Sequence, residues 1–412
     1  VKSIYSSALV FALGFSLLGA VLTAPSLQAQ DWPDWLGVNR DGVTTESVVN
    51  RDWKTKPPAV LWTAELGIGF SCFTVVDGRV YSMGFREGIE RVFCFDAATG
   101  KSIWTHEYPS ELLDRFYEGG PGSTPVVHEG KVYTIGKIGQ VFCLDAKTGT
   151  VVWEENIPKL TGVEVPEWGF AGSVLIWGNL CMLDAGHFIS LDKQTGRFMW
   201  KTKEMHAVGY GSPLHFTEGG ADYVAYLNNS GLLILRLASG EETDFLAWET
   251  SYATNGTTPI YRDGQLFIST AYNKGCALLN VEDGKLEEVY REQSAMRNQM
   301  ANSILVGDFL YGFDRKQSPR RLVKLKCIEW ATGKERWAKG GMGIGSLLKA
   351  GEDLIVLTDE GILSLVKPTP EALTEITRTD ILDGRCWTMP VLSNGRLYAR
   401  NAAGHMVCLD MK

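Results

Sequence analysis

One pattern recurs along the chain and constrains its fold more than any other feature. Val92-Phe-Cys-Phe-Asp-Ala-Ala-Thr-Gly-Lys-Ser-Ile-Trp104 returns as Val141-Phe-Cys-Leu-Asp-Ala-Lys-Thr-Gly-Thr-Val-Val-Trp153 and as Phe188-Ile-Ser-Leu-Asp-Lys-Gln-Thr-Gly-Arg-Phe-Met-Trp200. A looser copy runs from Leu325 through Thr332-Gly333 to Trp337, and degenerate copies surround Ser239-Gly240 and Asp283-Gly284. The turn glycines at 100, 149, 196, 240, 284 and 333 are spaced 49, 47, 44, 44 and 49 residues apart. That period accommodates four strands of about five residues with their turns.

Each position has a physical reason. The apolar run before Asp reads as a strand buried on both faces. The Asp carboxylate can accept backbone N–H groups across the following turn. Gly supplies the positive φ of that turn, and the Trp that follows is large and flat enough to fill the wedge between neighbouring sheets.

A second signature lies upstream of each copy. Ser123-Thr-Pro-Val-Val-His-Glu-Gly-Lys-Val-Tyr133 matches Thr257–Phe267 and Thr388–Tyr398, and weaker versions start near Ser71, Ser173, Ser212, Ser303 and Ser346. That makes eight first strands. The last copy stops at Cys408-Leu-Asp-Met-Lys412, before any Trp strand. Ala59-Val-Leu-Trp62-Thr-Ala supplies the missing strand, which predicts an all-β, eight-bladed propeller whose N-terminal strand completes the C-terminal blade and leaves no open edge around the ring. No long 3.6-residue apolar period occurs, so helices are expected to be few and short.

The first 29 residues read as a secretory signal peptide. Lys2 is followed by an apolar run from Ala8 to Ala24, Pro25 breaks it, and Leu27-Gln28-Ala29 offers a small residue for cleavage. An uncleaved membrane anchor is the rival reading. Residues 30–412 are then expected to form one propeller domain, exported to the periplasm or cell envelope, monomeric and without a transmembrane span after cleavage. Loss of the leader takes the formal net charge from −8 to about −9. With no basic run, nucleic acid is a poor partner.

The eight cysteines, at 72, 94, 143, 181, 276, 327, 386 and 408, include no CxxC pair. Cys94, Cys143 and Cys408 occupy one repeat position inside apolar strands, which favours small buried hydrophobes over disulfides. The six histidines have no metal-ligand spacing, and His128 and His215 fall near strand turns, where structural roles are expected. No phosphate loop, HExxH or GxSxG is present.

The Leu-Asp-Ala-Lys-Thr-Gly-x-x-x-Trp unit resembles the PQQ repeat of quinoprotein alcohol dehydrogenase-like propellers, over about residues 30–412. The opening Trp32-Pro-Asp-Trp35-Leu-Gly37-Val-Asn-Arg40-Asp-Gly42 resembles the start of exported PQQ-like proteins of planctomycete type, which are similar to the propeller scaffold (BamB) of the outer-membrane β-barrel assembly machine. The resemblance implies three functions: a non-catalytic binding scaffold, a dehydrogenase using PQQ and calcium, or an envelope-assembly subunit. The enzyme branch carries adjacent cysteines over its quinone, and no two cysteines are adjacent here. The assembly scaffold is normally a lipoprotein, and no lipidation Cys follows Gly19-Ala20. The binding scaffold is therefore the leading expectation, with no catalytic residue, metal site or cofactor, and with a protein, peptide or glycan of the cell envelope as partner.

The segments that enter the first strands vary while the strands do not, and a propeller gathers them on one face at the mouth of the central channel. Loops on a rigid scaffold are the usual seat of function. Trp168, Phe170, Tyr210, Tyr252 and Trp387 are expected to stack a ligand or anchor a peptide, and Asn255, Arg297, Asn298 and Arg385 to orient its polar groups.

Overall fold

The computed structural model describes residues 30–316 and 322–412, so the leader at 1–29 lies outside the described residues. Eight antiparallel sheets follow one another along the chain. Their inner strands are Thr74–Val76, Val126–His128, Leu175–Trp177, Leu214–Glu218, Ile260–Arg262, Ile304–Val306, Ser346–Ala350 and Val391–Ser393. The eighth blade closes as its sequence requires. Val60–Glu65 lies antiparallel to His405–Asp410, with Trp62 opposite Cys408 and Glu65 opposite His405. Ile157–Thr161 is the one α-helix among the described residues.

The repeated Asp-Thr-Gly-Trp residues hold neighbouring blades together. Asp145 Oδ1 accepts the N–H groups of Lys147 and Thr148, each at 2.9 Å, Asp192 accepts those of Gln194 and Thr195, and Asp96 accepts that of Thr99. The rings of Trp62, Trp104 and Trp153 each lie on the turn glycine of the next blade and donate the indole N–H to a carbonyl beside it. Trp62 reaches Ala97 O at 3.1 Å, Trp104 reaches Ala146 O at 3.1 Å and Trp153 reaches Lys193 O at 2.9 Å. Where the repeat is degenerate, other side chains take this place. Thr243 bonds Gly284 O at 2.8 Å, and Tyr290 bonds Trp330 O at 2.9 Å and packs on Gly333.

Gly149 is thus constrained twice, by φ of +73° and by a Cβ position only 2.6 Å from Trp104 Cδ2. Gly149→Ala is expected to destabilise the protein by about 2–4 kcal/mol through left-handed strain and overpacking. Urea denaturation checks this; an unchanged midpoint would show that the turn relaxes freely.

The residues that open the first strands form a second belt. Cys72 N donates to Thr124 Oγ1 at 3.2 Å, Thr124 N to Ser173 Oγ at 2.9 Å, and Ser173 N to Ser212 Oγ at 3.0 Å, each bond crossing to the next blade. Asn302 serves the fifth and sixth blades by exchanging two bonds with the Thr258 backbone, at 3.1 and 2.7 Å. Inner strands of adjacent blades are too far apart to share a ladder, so short polar side chains satisfy these buried amides. All eight cysteines are buried and free. Burial pushes the Cys94 and Cys143 thiols up to about 11.

Residues 30–44 line the inside of the ring, a role the repeat pattern does not announce. Trp32 exchanges two backbone bonds with Val75, at 2.7 and 2.9 Å, and Pro33 O accepts from Val127 N at 2.8 Å. Arg40 Nη1 donates to Pro213 O at 2.5 Å, Arg40 Nη2 donates to Val174 O, and Trp35 Nε1 reaches Thr258 Oγ1 at 3.1 Å. Gly42 lies against Ile304, and Val43–Thr44 runs parallel to Lys349–Ala350 as a fifth strand of the seventh sheet. Ser393 Oγ donates to Gln30 O at 2.8 Å, which brings in the eighth blade. One segment therefore touches every blade from within, and the chain then runs outward to Trp53, 1% exposed, whose backbone N–H donates to Thr377 Oγ1 on the outermost strand of the seventh blade at 2.9 Å.

Candidate functional site

In each blade the chain enters the inner strand at one face, and the hairpin joining the second and third strands returns to that face. Segments of both kinds meet there. Trp387 and Tyr117 flank Phe70, each with its ring centroid 5.6 Å away. The Arg385 guanidinium lies 4.3 Å above the Trp387 ring and pairs with Glu118 at 2.7 Å. These contacts join the eighth, first and second blades. Trp168 and Tyr210, from the third and fourth, lie 5.5 Å apart. Tyr252 is 51% exposed and packs 5.0 Å from Tyr272.

The other residues singled out from the sequence sit deeper. Phe170 is buried. The Asn255 amide donates to Asn228 O at 2.7 Å and Trp248 O at 2.8 Å. Asn298 donates to Phe313 O at 3.2 Å and accepts from Ser303 Oγ at 2.9 Å. Arg297 clasps Asp314 at 2.7 and 2.5 Å, and both side chains are nearly inaccessible. These four side chains position the loops, and Trp168, Tyr210, Tyr252, Arg385 and Trp387 remain at the surface of the mouth.

A narrow crevice, with room for little more than one water molecule, opens between the third and fourth blades, lined by Phe170, Ser173, Asp184, Gly209, Pro213 and Tyr226. Asp184 accepts from Tyr226 Oη at 2.7 Å and from the Gly186 and Gly209 N–H groups, both at 2.9 Å. Burial nevertheless pushes its carboxyl up to about 6, outweighing those three donors.

Several residues of this face were not singled out from the sequence. Phe70, Tyr117 and Glu118 lie in entering segments already recognised as variable. Phe116 is 80% exposed with φ of 68°, a conformation bulky residues rarely adopt. Lys137, Tyr272 and Arg315 come from the hairpins between second and third strands. The usable signal was geometric: alternating strand directions place those hairpins on the same face as the entering segments.

The family model described as outer membrane protein assembly factor BamB matches residues 57–154 and 90–339. No curated protein matches the chain. Among solved structures, BamB from Moraxella catarrhalis is 15% identical with a TM-score of 0.60, covering 85% of this chain and 97% of that one. Quinohemoprotein alcohol dehydrogenase from Comamonas testosteroni is 12% identical with a TM-score of 0.66, covering 92% and 80%. A europium-containing methanol dehydrogenase is 10% identical with a TM-score of 0.68, covering 92% and 98%. At these identities the likeness establishes the propeller fold and not an activity.

A quinone–calcium pair would need several oxygen ligands converging on one ion. Several acidic groups of this face are instead held by cations, Glu118 by Arg385, Glu167 by Arg115, and Asp314 by Arg297 and Lys326, while Asp184 and Glu90 are taken up by hydroxyl and backbone N–H donors. Among the described residues no three His, Cys, Asp or Glu side chains are grouped to hold a metal. These residues do not fit that pair, and no chemistry is derived through it. No helix among the described residues is long and apolar enough to cross a membrane.

Proposed function

The chain belongs to the PQQ-repeat propeller family described as outer membrane protein assembly factor BamB, and from that premise we propose that it is an exported, non-catalytic scaffold that binds a protein, peptide or glycan of the cell envelope at the mouth. The observation that carries this reading is the aromatic surface on one face of a ring whose inside is filled by its own chain. Trp387, Phe70 and Tyr117 form one row, Trp168 and Tyr210 a second, and Phe116 and Tyr252 stand exposed beside them. Aromatic groups held on a rigid frame bury much area on binding with little loss of side-chain freedom.

Trp168→Ala with Tyr252→Ala is expected to reduce capture of the envelope partner at least tenfold, since truncated aromatic anchors commonly lose roughly 2 kcal/mol or more. The melting temperature should stay within about 2 °C, because both side chains lie outside the blade cores. Crosslinked pull-down from the parent envelope and a thermal scan measure the two quantities. Capture at the parent level would remove the mouth as the binding surface. The dehydrogenase reading has its own assay, dye-linked alcohol oxidation after addition of PQQ and Ca²⁺, and a PQQ-dependent rate would overturn the scaffold reading.

A further inference from the structure

Two cations of the described structure are buried without an ion-pair partner, and they differ in how their donors are used. Arg400 directs its guanidinium at four backbone carbonyls. Lys137 is 1% exposed, yet its ammonium, with three N–H donors, makes one hydrogen bond, to Tyr117 Oη. The centroid of the same ring lies 5.1 Å from Nζ. Glu90 is close but engaged elsewhere. Its oxygens accept from Tyr108 Oη at 2.8 Å, Ser110 Oγ at 2.9 Å and the Lys137 backbone N–H at 3.1 Å. Burial brings the Lys137 amine down to about 8, the direction expected for a cation whose charge is incompletely compensated.

Tyr117 carries the same deficit outward. Its oxygen accepts from Lys137, and its own proton has no acceptor among the described residues. Burial holds the phenol above its usual pKa, so that proton stays on the oxygen. The ring stands in the aromatic row, 5.6 Å from Phe70. The lysine stem is fixed from the other side by the Gly169 backbone, where a Cβ would come within 2.8 Å of Lys137 Cδ. A fixed, desolvated donor pair with an unused proton is complementary to an anionic oxygen.

We propose that Tyr117 and Lys137 form a receptor for a carboxylate carried beside an aromatic group, as at the free C-terminus of a peptide ending in a large side chain. The phenol proton would bond the carboxylate, Lys137 would supply the compensating charge, and Phe70 with Trp387 would cover the side chain. This rests on the reading of the mouth as a binding surface and specifies what it recognises.

N-acetylphenylalanine and its carboxamide test the idea, because they differ in charge and hardly in shape. Titrated into the full chain by calorimetry, the acid is expected to bind at least about tenfold tighter than the amide, a charge-assisted bond being worth that factor. Tyr117→Phe should remove this preference and lower the melting temperature, because the buried Lys137 ammonium loses its one hydrogen bond, whereas Lys137→Met should remove the preference without stranding a buried charge. Equal binding of acid and amide overturns the carboxylate receptor while leaving an aromatic binding face. Tighter binding of glucuronate than of N-acetylphenylalanine overturns the peptide assignment. A preference that survives Tyr117→Phe also overturns the proposal. If no probe binds and Trp168→Ala with Tyr252→Ala leaves envelope capture intact, the binding reading of the mouth falls as well.

Discussion

Arg40→Ala is expected to destabilise the ring by about 3–5 kcal/mol at neutral pH, the usual result of removing one partner from a buried ion pair. Arg40 and Asp34 face each other at 2.8 Å with side-chain exposures of 4% and 17%, and the same guanidinium bonds the carbonyls of Val174 and Pro213. The substitution therefore strands a carboxylate and two carbonyls, and it loosens the one segment that touches all eight blades. The penalty should depend on pH in a definite direction. Burial raises the Asp34 carboxyl, and Arg40 is the main group pulling it back. Without Arg40 the folded-state value rises further above the unfolded one. A carboxyl raised in this way favours the folded state at low pH, and that contribution is lost as pH rises through the folded value. The deficit of Arg40→Ala against the parent should thus shrink between pH 7 and pH 5. Urea denaturation at both values measures it; a small, pH-independent deficit would mean that residues 30–44 are not structurally coupled to the blades.

Arg400→Met is expected to cost a similar amount for a different reason. Arg400 is fully buried at the seam between the eighth and first blades. Its guanidinium donates to Met83 O at 2.6 Å, Gly67 O at 2.8 Å, and Ser71 O and Asn401 O at 3.4 Å each. Each buried carbonyl left without a donor loses about 1–3 kcal/mol. With the two shortest bonds counted alone, a loss of roughly 3 kcal/mol or more follows. Arg400→Lys should not restore stability, because one ammonium cannot span carbonyls that a planar fork reaches from several nitrogens. The ring closes at this seam, so the loss should be accompanied by faster amide exchange in Val60–Glu65, whose pairing with His405–Asp410 depends on it. Full stability in the lysine variant would show that one of those bonds suffices.

The sequence by itself determined the repeating part of this protein. Asp145, Gly149 and Trp104 act within one turn or across one blade boundary, so their spacing carried both the blade count and the wedge packing. The unfinished last copy and the stray strand around Trp62 foretold how the ring closes, because a blade lacking one strand has a single complementary segment to accept. Ser173 and Ser212 were legible as markers of the first strands, although their bonds between blades were not.

The tertiary structure alone decided what occupies the ring and what faces the mouth. Arg40 meets Pro213 across 173 residues and Arg385 meets Glu118 across 267, with no periodicity linking either pair. Asn255 and Asn298 looked like ligand-orienting amides from their place in variable loops, and the fold turned them inward to satisfy backbone groups. Lys137 and Tyr117 are 20 residues apart on a hairpin and a loop that share a face only once the blade is formed. A repeat specifies local geometry because the same short-range forces act in every copy. Burial, charge and convergence around an axis depend on which copies become neighbours, and only the closed ring fixes that.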